Sequence, residues 1–227
     1  MPVTALAELL DSVDAVFDAT GHGCAPWPSP RSFHDDIPDE AYSRVTEPER
    51  YRIVGARADA WVTVLIDAAL ARVDEVEAVD WIGDRPAAAS IGRHRRLVPL
   101  RAGSIPLVFV TTGFAGPVDN GLEIGAGDPA VQIGNYPDCG CDACDFGSDD
   151  LLEEIDDSVL DVVSGLFTYR WRGDRRLRLS RSSTSYNFDV RRRWRRGVAP
   201  VDRDEFEREL LDATDGWDEI SGTSWLG

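Results

Sequence analysis

Ile105-Pro106-Leu107-Val108-Phe109-Val110-Thr111 is the stretch that decides the fold. Its β-branched and aromatic residues suit a pleated, buried surface, and its flanks keep a hydrophobic period near two. Arg96-Leu97-Val98-Pro99-Leu100 precedes it, and Leu122 to Ile124 and Ala130 to Ile133 follow, with glycine-containing turns between them. Short strands joined by such turns predict one antiparallel sheet.

Working outward toward the N-terminus, the period changes to that of helices. Glu47-Pro48-Glu49 opens a helix with Pro in its first turn and Tyr51, Val54, Ala58, Trp61, Val62, Leu65 and Leu70 on a broad apolar face, so this helix is expected to be central. Leu6, Leu9, Leu10, Val13, Val16 and Phe17 mark an earlier amphipathic helix that Gly21 stops. Between them Pro26, Pro28, Pro30 and Pro38 surround Trp27, a composition that forbids regular helix and predicts a loop wrapped over the core.

Toward the C-terminus, Ala130 to Ile133 leads into a cysteine-rich loop. Ser148-Asp149-Asp150 then caps a helix carrying Leu151, Leu152, Ile155, Val159, Leu160 and Val163. Phe167 to Arg172 and Arg176 to Arg181 alternate around Gly173-Asp174, a hairpin expected to show aromatic and aliphatic side chains on one face and arginines on the other. A last helix is expected near Arg203 to Ala213. The expected class is α+β: a single antiparallel sheet of about five to seven strands flanked by about three to four helices. One domain is expected over residues 1–227, with 1–84 mainly helical, 85–200 holding the sheet, cysteine loop and its helix, and 201–227 the final helix and tail.

Composition excludes several function classes. No run approaches the roughly 18 uninterrupted apolar residues of a membrane-spanning helix. The start Met1-Pro2-Val3-Thr4 lacks the basic region of a signal peptide, so a cytoplasmic protein with reduced thiols is expected. A net charge of −17 repels polyanions and makes nucleic acid an unfavoured partner. All 24 basic residues are arginine, and their distribution is uneven. Ala102 to Tyr169 contains none, whereas Arg170 to Arg196 contains 11, including Arg191-Arg192-Arg193-Trp194-Arg195-Arg196. That segment invites a nucleic-acid reading, but neutralisation by the acidic helix after the cysteine loop, or by a protein partner, is the simpler one.

The one place that spells out chemistry is Pro137-Asp138-Cys139-Gly140-Cys141-Asp142-Ala143-Cys144-Asp145. Cys141 and Cys144 have the two-residue spacing that lets a loop present two thiolates to one ion, and Cys139 adds a third. The metal expected is zinc. The fourth ligand must come from elsewhere; Cys24 and His22 are the candidates, with His34, His94 or a neighbouring carboxylate also available, and spacing selects none of them. Three thiols beside Asp138, Asp142 and Asp145, with no local cation, are expected to resist ionisation unless a divalent ion is present. Reduced structural thiols and redox use are the competing readings. No catalytic set and no phosphate-binding loop is legible.

The cysteine run, preceded by Asp128-Pro129-Ala130-Val131 and followed by Leu151-Leu152-Glu153-Glu154-Ile155-Asp156-Asp157 and Val162-Val163-Ser164-Gly165, resembles domain of unknown function 6226. The likeness extends loosely to Tyr51–Trp61 and Ser224-Trp225-Leu226. It implies an actinobacterial protein and marks the loop and its helix as the family's signature, without implying a reaction. The expectation is thus a binding or regulatory module with a structural zinc at Cys139, Cys141 and Cys144. A metal- or thiol-dependent enzyme and an acidic, immunity-type partner protein are the alternatives.

Overall fold

The computed structural model describes residues 3–21, 23–30, 36–83, 92–116, 119–188 and 202–227, without the side chains of Val3 and Thr4. His22, His34 and the Arg191–Arg196 run therefore lie outside the described residues.

The strands read from the sequence form a five-stranded antiparallel meander in the order β1-β2-β3-β4-β5. These are β1 (Ala71–Glu75), β2 (His94–Pro99), β3 (Leu107–Thr112), β4 (Gly121–Gly127) and β5 (Ala130–Tyr136). β3 and β4 are almost wholly buried, which explains why their sequence reads as a near-continuous apolar run. β4 and β5 shift register between Ile124 and Gly125, a bulge at which a Cβ on Gly125 would meet the Trp81 ring at 2.6 Å.

Helix α1 (Val3–Thr20) packs on α2 (Ile53–Asp67), which packs on both the sheet and α3 (Ser148–Val163), and α3 also meets β5. α2 is central as expected: Ile53, Val54, Ala58, Trp61 and Leu65 are buried and share one core with Leu97, Phe109, Leu122, Ile124, Ile155, Val159 and Val163. Its entry is a 3-10 turn at Pro48–Arg52, so the helix proper starts later than the Pro-led reading suggests. Buried in the same region, Arg57 donates to Asp156 at 2.9 and 2.6 Å, and Trp61 Nε1 donates to the same carboxylate at 2.7 Å.

Beside the meander stands a second antiparallel sheet in the order β8-β7-β6-β9. The expected hairpin supplies β6 (Thr168–Arg172) and β7 (Arg175–Leu179); β8 (Thr184–Tyr186) and β9 (Asp218–Ser221) flank it. The mixed α+β class with helix-flanked antiparallel strands therefore stands, with the strands divided between two sheets. The faces of the hairpin differ from expectation. The two-residue turn pairs Arg172 with Arg175, so Tyr169 and Trp171 lie opposite Arg178 and Arg176, whereas Arg170 lies opposite Leu177. Aromatics and arginines thus share a face, and Leu177 and Leu179 turn the other way to pack with Leu210 of α4 (Arg203–Ala213). The hairpin arginines spend donors inside the chain: Arg170 on Leu211 O and Thr214, Arg178 on Ile133 O, and Arg176 on Gly173 O.

Candidate metal centre

The cysteine loop is the connection between β5 and α3, and both ends are fastened by one side chain. Tyr136, the last residue of β5, donates its hydroxyl to Glu154 O at 2.9 Å and meets Ser158 Oγ at 2.6 Å, both on α3. Burial pushes its pKa up to about 12, so it stays a donor. Within the loop Gly140 adopts φ 65°, and a Cβ there would lie 2.4 Å from the Phe114 ring. The position therefore suits glycine on two grounds. Phe114 is itself held by buried Asn120, which accepts from Phe114 N–H and donates to Phe114 O and Pro48 O.

This path brings the three sulfurs together. Cys139, Cys141 and Cys144 lie with all ligand atoms within 4.8 Å of one another, and Cys139 Sγ stands 3.3 Å from Cys141 Sγ. Cys141 is buried; Cys139 and Cys144 are exposed. Backbone geometry contributes, since Cys144 N–H donates to Cys141 O at 2.9 Å across a short 3-10 turn. Cys24 is not in this group. Its charged neighbours are Arg52 and Asp119, and burial pushes its thiol pKa up.

The three thiols are unequal. Burial opposes ionisation of Cys141, but hydrogen bonds from the Cys139 and Cys144 thiols and from the backbone N–H groups of Cys144 and Ala143 outweigh it and lower its pKa. Cys144 is pushed up to about 12, chiefly by its hydrogen bonds with Cys139 and Cys141. Ionisation is thus favoured at Cys141 over Cys144.

The expectation of carboxylates without a local cation is corrected by the structure, which brings two arginines to them from almost a hundred residues away. Asp142 accepts from Arg44 Nε, Thr46 N–H and Thr46 Oγ1, the last two at 2.7 Å, and these bonds hold its pKa low against the effect of burial. Asp145 accepts from Arg50 at 2.6 Å, Trp27 Nε1 at 2.9 Å and Gly147 N–H at 2.9 Å. Arg50 lies over the rings of Trp27 and Tyr51, with its guanidinium carbon 4.8 and 5.0 Å from their centroids. Ser148 also departs from its expected role. The α3 N-cap is Gly147, and the Ser148 hydroxyl instead accepts from Trp27 N–H and donates to Trp27 O.

Trp27, Arg44, Thr46 and Arg50 escaped sequence reasoning because their partners are distant in the chain. The proline-rich composition around Trp27 was the one signal, and it indicated a wrapped loop without indicating what lies beneath. A cavity of about 210 Å³ opens beside the sulfurs, lined by Cys139 and Cys144 and by Asp138, Asp150 and Glu154. Burial, followed by Asp150 and Asp138, raises the pKa of Glu154.

Among the described residues no helix is long and apolar enough to cross a membrane. No curated protein and no solved structure matches the chain. A family model does match, and it spans the later part of α1, the meander, the cysteine loop and the C-terminal strand. Over residues 13–226 the chain belongs to the family of unknown function DUF6226.

Proposed function

We propose that Cys139, Cys141 and Cys144 hold one zinc ion as a staple between β5 and α3, in a protein that serves as a binding or regulatory module. The observation that carries this reading is the spacing of the sulfurs. Ligands at about 2.3 Å from a tetrahedral ion stand roughly 3.8 Å apart, and the distances here, 3.3 Å for one pair and none above 4.8 Å, bracket that value. Bringing the three sulfurs to that spacing takes shifts of about an ångström or less. Arg44 and Arg50 already balance Asp142 and Asp145, so the carboxylates flanking the loop do not have to be neutralised by the ion.

The fourth position needs a ligand from beyond the three sulfurs: no carboxylate joins their group among the described residues, and Asp138, Asp150 and Glu154 line the adjoining cavity. A carboxylate there closes the shell. A water there leaves it open, and the site then belongs to the alternative reading of a metal-dependent hydrolytic enzyme.

Protein purified without chelator is expected to carry about one zinc per chain by elemental analysis. Cys144→Ser should lose it, and a strong chelator should lower the melting temperature of the parent chain but not of the variant. Cobalt(II) in place of zinc should give thiolate-to-metal charge-transfer absorption. Adding a small anion should leave that spectrum unchanged for a closed shell and shift it for an open one. Metal-free protein with all four thiols titrating freely and unchanged stability in chelator would overturn the proposal.

A further inference from the structure

α1 and α3 both pack on α2, and between them runs a groove of about 1140 Å³. Its apolar lining is Leu6, Leu10 and Phe17 from one helix, Leu152 and Leu160 from the other, and Leu166 just beyond it. On the same broad apolar face of α1, Leu9 and Val13 are buried in the core, whereas Leu6, Leu10 and Phe17 pack at its margin and stay half-buried along the groove. Leu166 is 56% exposed, and Leu6, Leu10, Phe17 and Leu152 are only half-buried.

The two helices that border this strip carry charge of one sign. α1 carries four carboxylates (Glu8, Asp11, Asp14, Asp18) and α3 seven (Asp149, Asp150, Glu153, Glu154, Asp156, Asp157, Asp161), and neither helix has a basic residue. Two arginines reach the groove from other elements. Arg57 bonds Asp14 and Asp156 at its floor, and Arg181 bonds Asp157 at its edge, so both are already held by acids of the groove. Asp149 and Glu153 stand exposed on the rim.

We propose that this groove docks a basic amphipathic helix of a partner protein. Leu6 and Phe17 lie eleven residues apart on α1, which spans roughly 16 Å, the length of about three helical turns. The groove is larger than the roughly 300–1,000 Å³ typical of small-molecule sites, and its negative field repels anionic lipid and nucleic acid. An apolar stripe at i, i+3, i+4 and i+7 would fill the strip, while lysine or arginine on its borders would meet the α3 carboxylates. This site is separate from the cysteine loop and does not depend on metal there.

The test uses the full chain and a labelled peptide of about 18 leucine and lysine residues with leucines on one helical face. A peptide of identical composition, reshuffled so that no face is apolar, is the control for charge alone. The amphipathic peptide is expected to bind at least about tenfold more tightly than the reshuffled one, and more weakly as salt rises from about 50 to 500 mM. Asp149→Arg with Glu153→Arg should weaken binding about tenfold, whereas Asp212→Arg, exposed on α4, should change it less than about twofold. Amide exchange should slow along α1 and α3 when the peptide is bound. Equal binding of the two peptides, equal loss from the groove and α4 variants, or dimerisation of the free chain through this groove would overturn the proposal.

Discussion

Arg57 and Asp156 form the most consequential pair of residues in the core. Arg57 and Asp156 are 3% and 7% exposed, and the pair is supplemented by Trp61 Nε1 and by Asp14 at the groove floor. Burial raises the pKa of Asp156, and the Arg57 and Trp61 hydrogen bonds offset that only partly. Arg57→Met should therefore destabilise by about 3–5 kcal/mol in urea titration at pH 7, because it leaves a desolvated carboxylate unpaired. The orphaned acid escapes by taking up a proton, so its folded pKa lies above its unfolded one and the loss should shrink as pH falls toward about 5. Adding Asp156→Asn, which keeps an acceptor for Trp61, should recover most of the loss at pH 7. A loss independent of pH would assign the effect to packing instead. This pair was not legible in the sequence, since nothing local links an arginine on one helix to an aspartate 99 residues later. The cysteine trio was legible for the opposite reason: chain connectivity alone confines three sulfurs within six residues, whereas Trp27, Arg44 and Arg50 reach the same loop only through the tertiary fold.

At the scale of elements, strands whose burial dominates their composition were readable, and short charged ones were not. β3 is apolar over Leu107–Val110 and was found within two residues of its ends. β1 and β9 read Ala-Arg-Val-Asp-Glu and Asp-Glu-Ile-Ser, edge strands held mainly by backbone pairing, and such short, charged edges look like loop in the sequence. The contact between the α3 N-terminus and the Trp27 segment is equally invisible in sequence, yet it depends on one glycine. Gly147 adopts φ 99°, and a Cβ there would stand 2.7 Å from Ser29 N and 3.0 Å from Pro28 C. Those atoms are backbone and cannot step aside cheaply. Gly147→Ala should cost at least about 1–3 kcal/mol and speed amide exchange at Trp27 and Ser148, whose hydrogen bonds close this contact. Gly55, in α2 with open space where its Cβ would be, is the matched control: Gly55→Ala should stabilise by about 0.5–1 kcal/mol. Equal effects of the two substitutions in chemical denaturation would refute the close-approach argument.

Over the whole molecule, the acidic segment from Asp138 to Asp161 is matched by arginines, mostly from an unexpected source. Arg44, Arg50 and Arg57 serve Asp142, Asp145 and Asp156, and of the arginine-rich hairpin region Arg181 reaches Asp157, with its backbone N–H on Asp161. Matching is incomplete for a chain of net charge −17, and three α3 carboxylates, Glu154, Asp156 and Asp161, have pKa values raised chiefly by burial. A carboxyl group with a raised folded pKa binds more protons folded than unfolded just above the ordinary carboxylate range, so stability there increases as pH falls. Asp142 and Glu219 act oppositely: hydrogen bonds to Arg44 and Thr46, and to Ser221 and Arg170, hold them low, and their contribution is lost as pH falls through their folded values. Stability should therefore rise from about pH 7.5 to about 5.5, as self-repulsion also eases, and fall again below about pH 4. Urea midpoints at constant m-value, measured with chelator present so that competition between protons and metal at the thiols does not enter, would show this maximum. A midpoint that keeps climbing toward alkaline pH would mean that the ion pairs outweigh the buried carboxylates of α3.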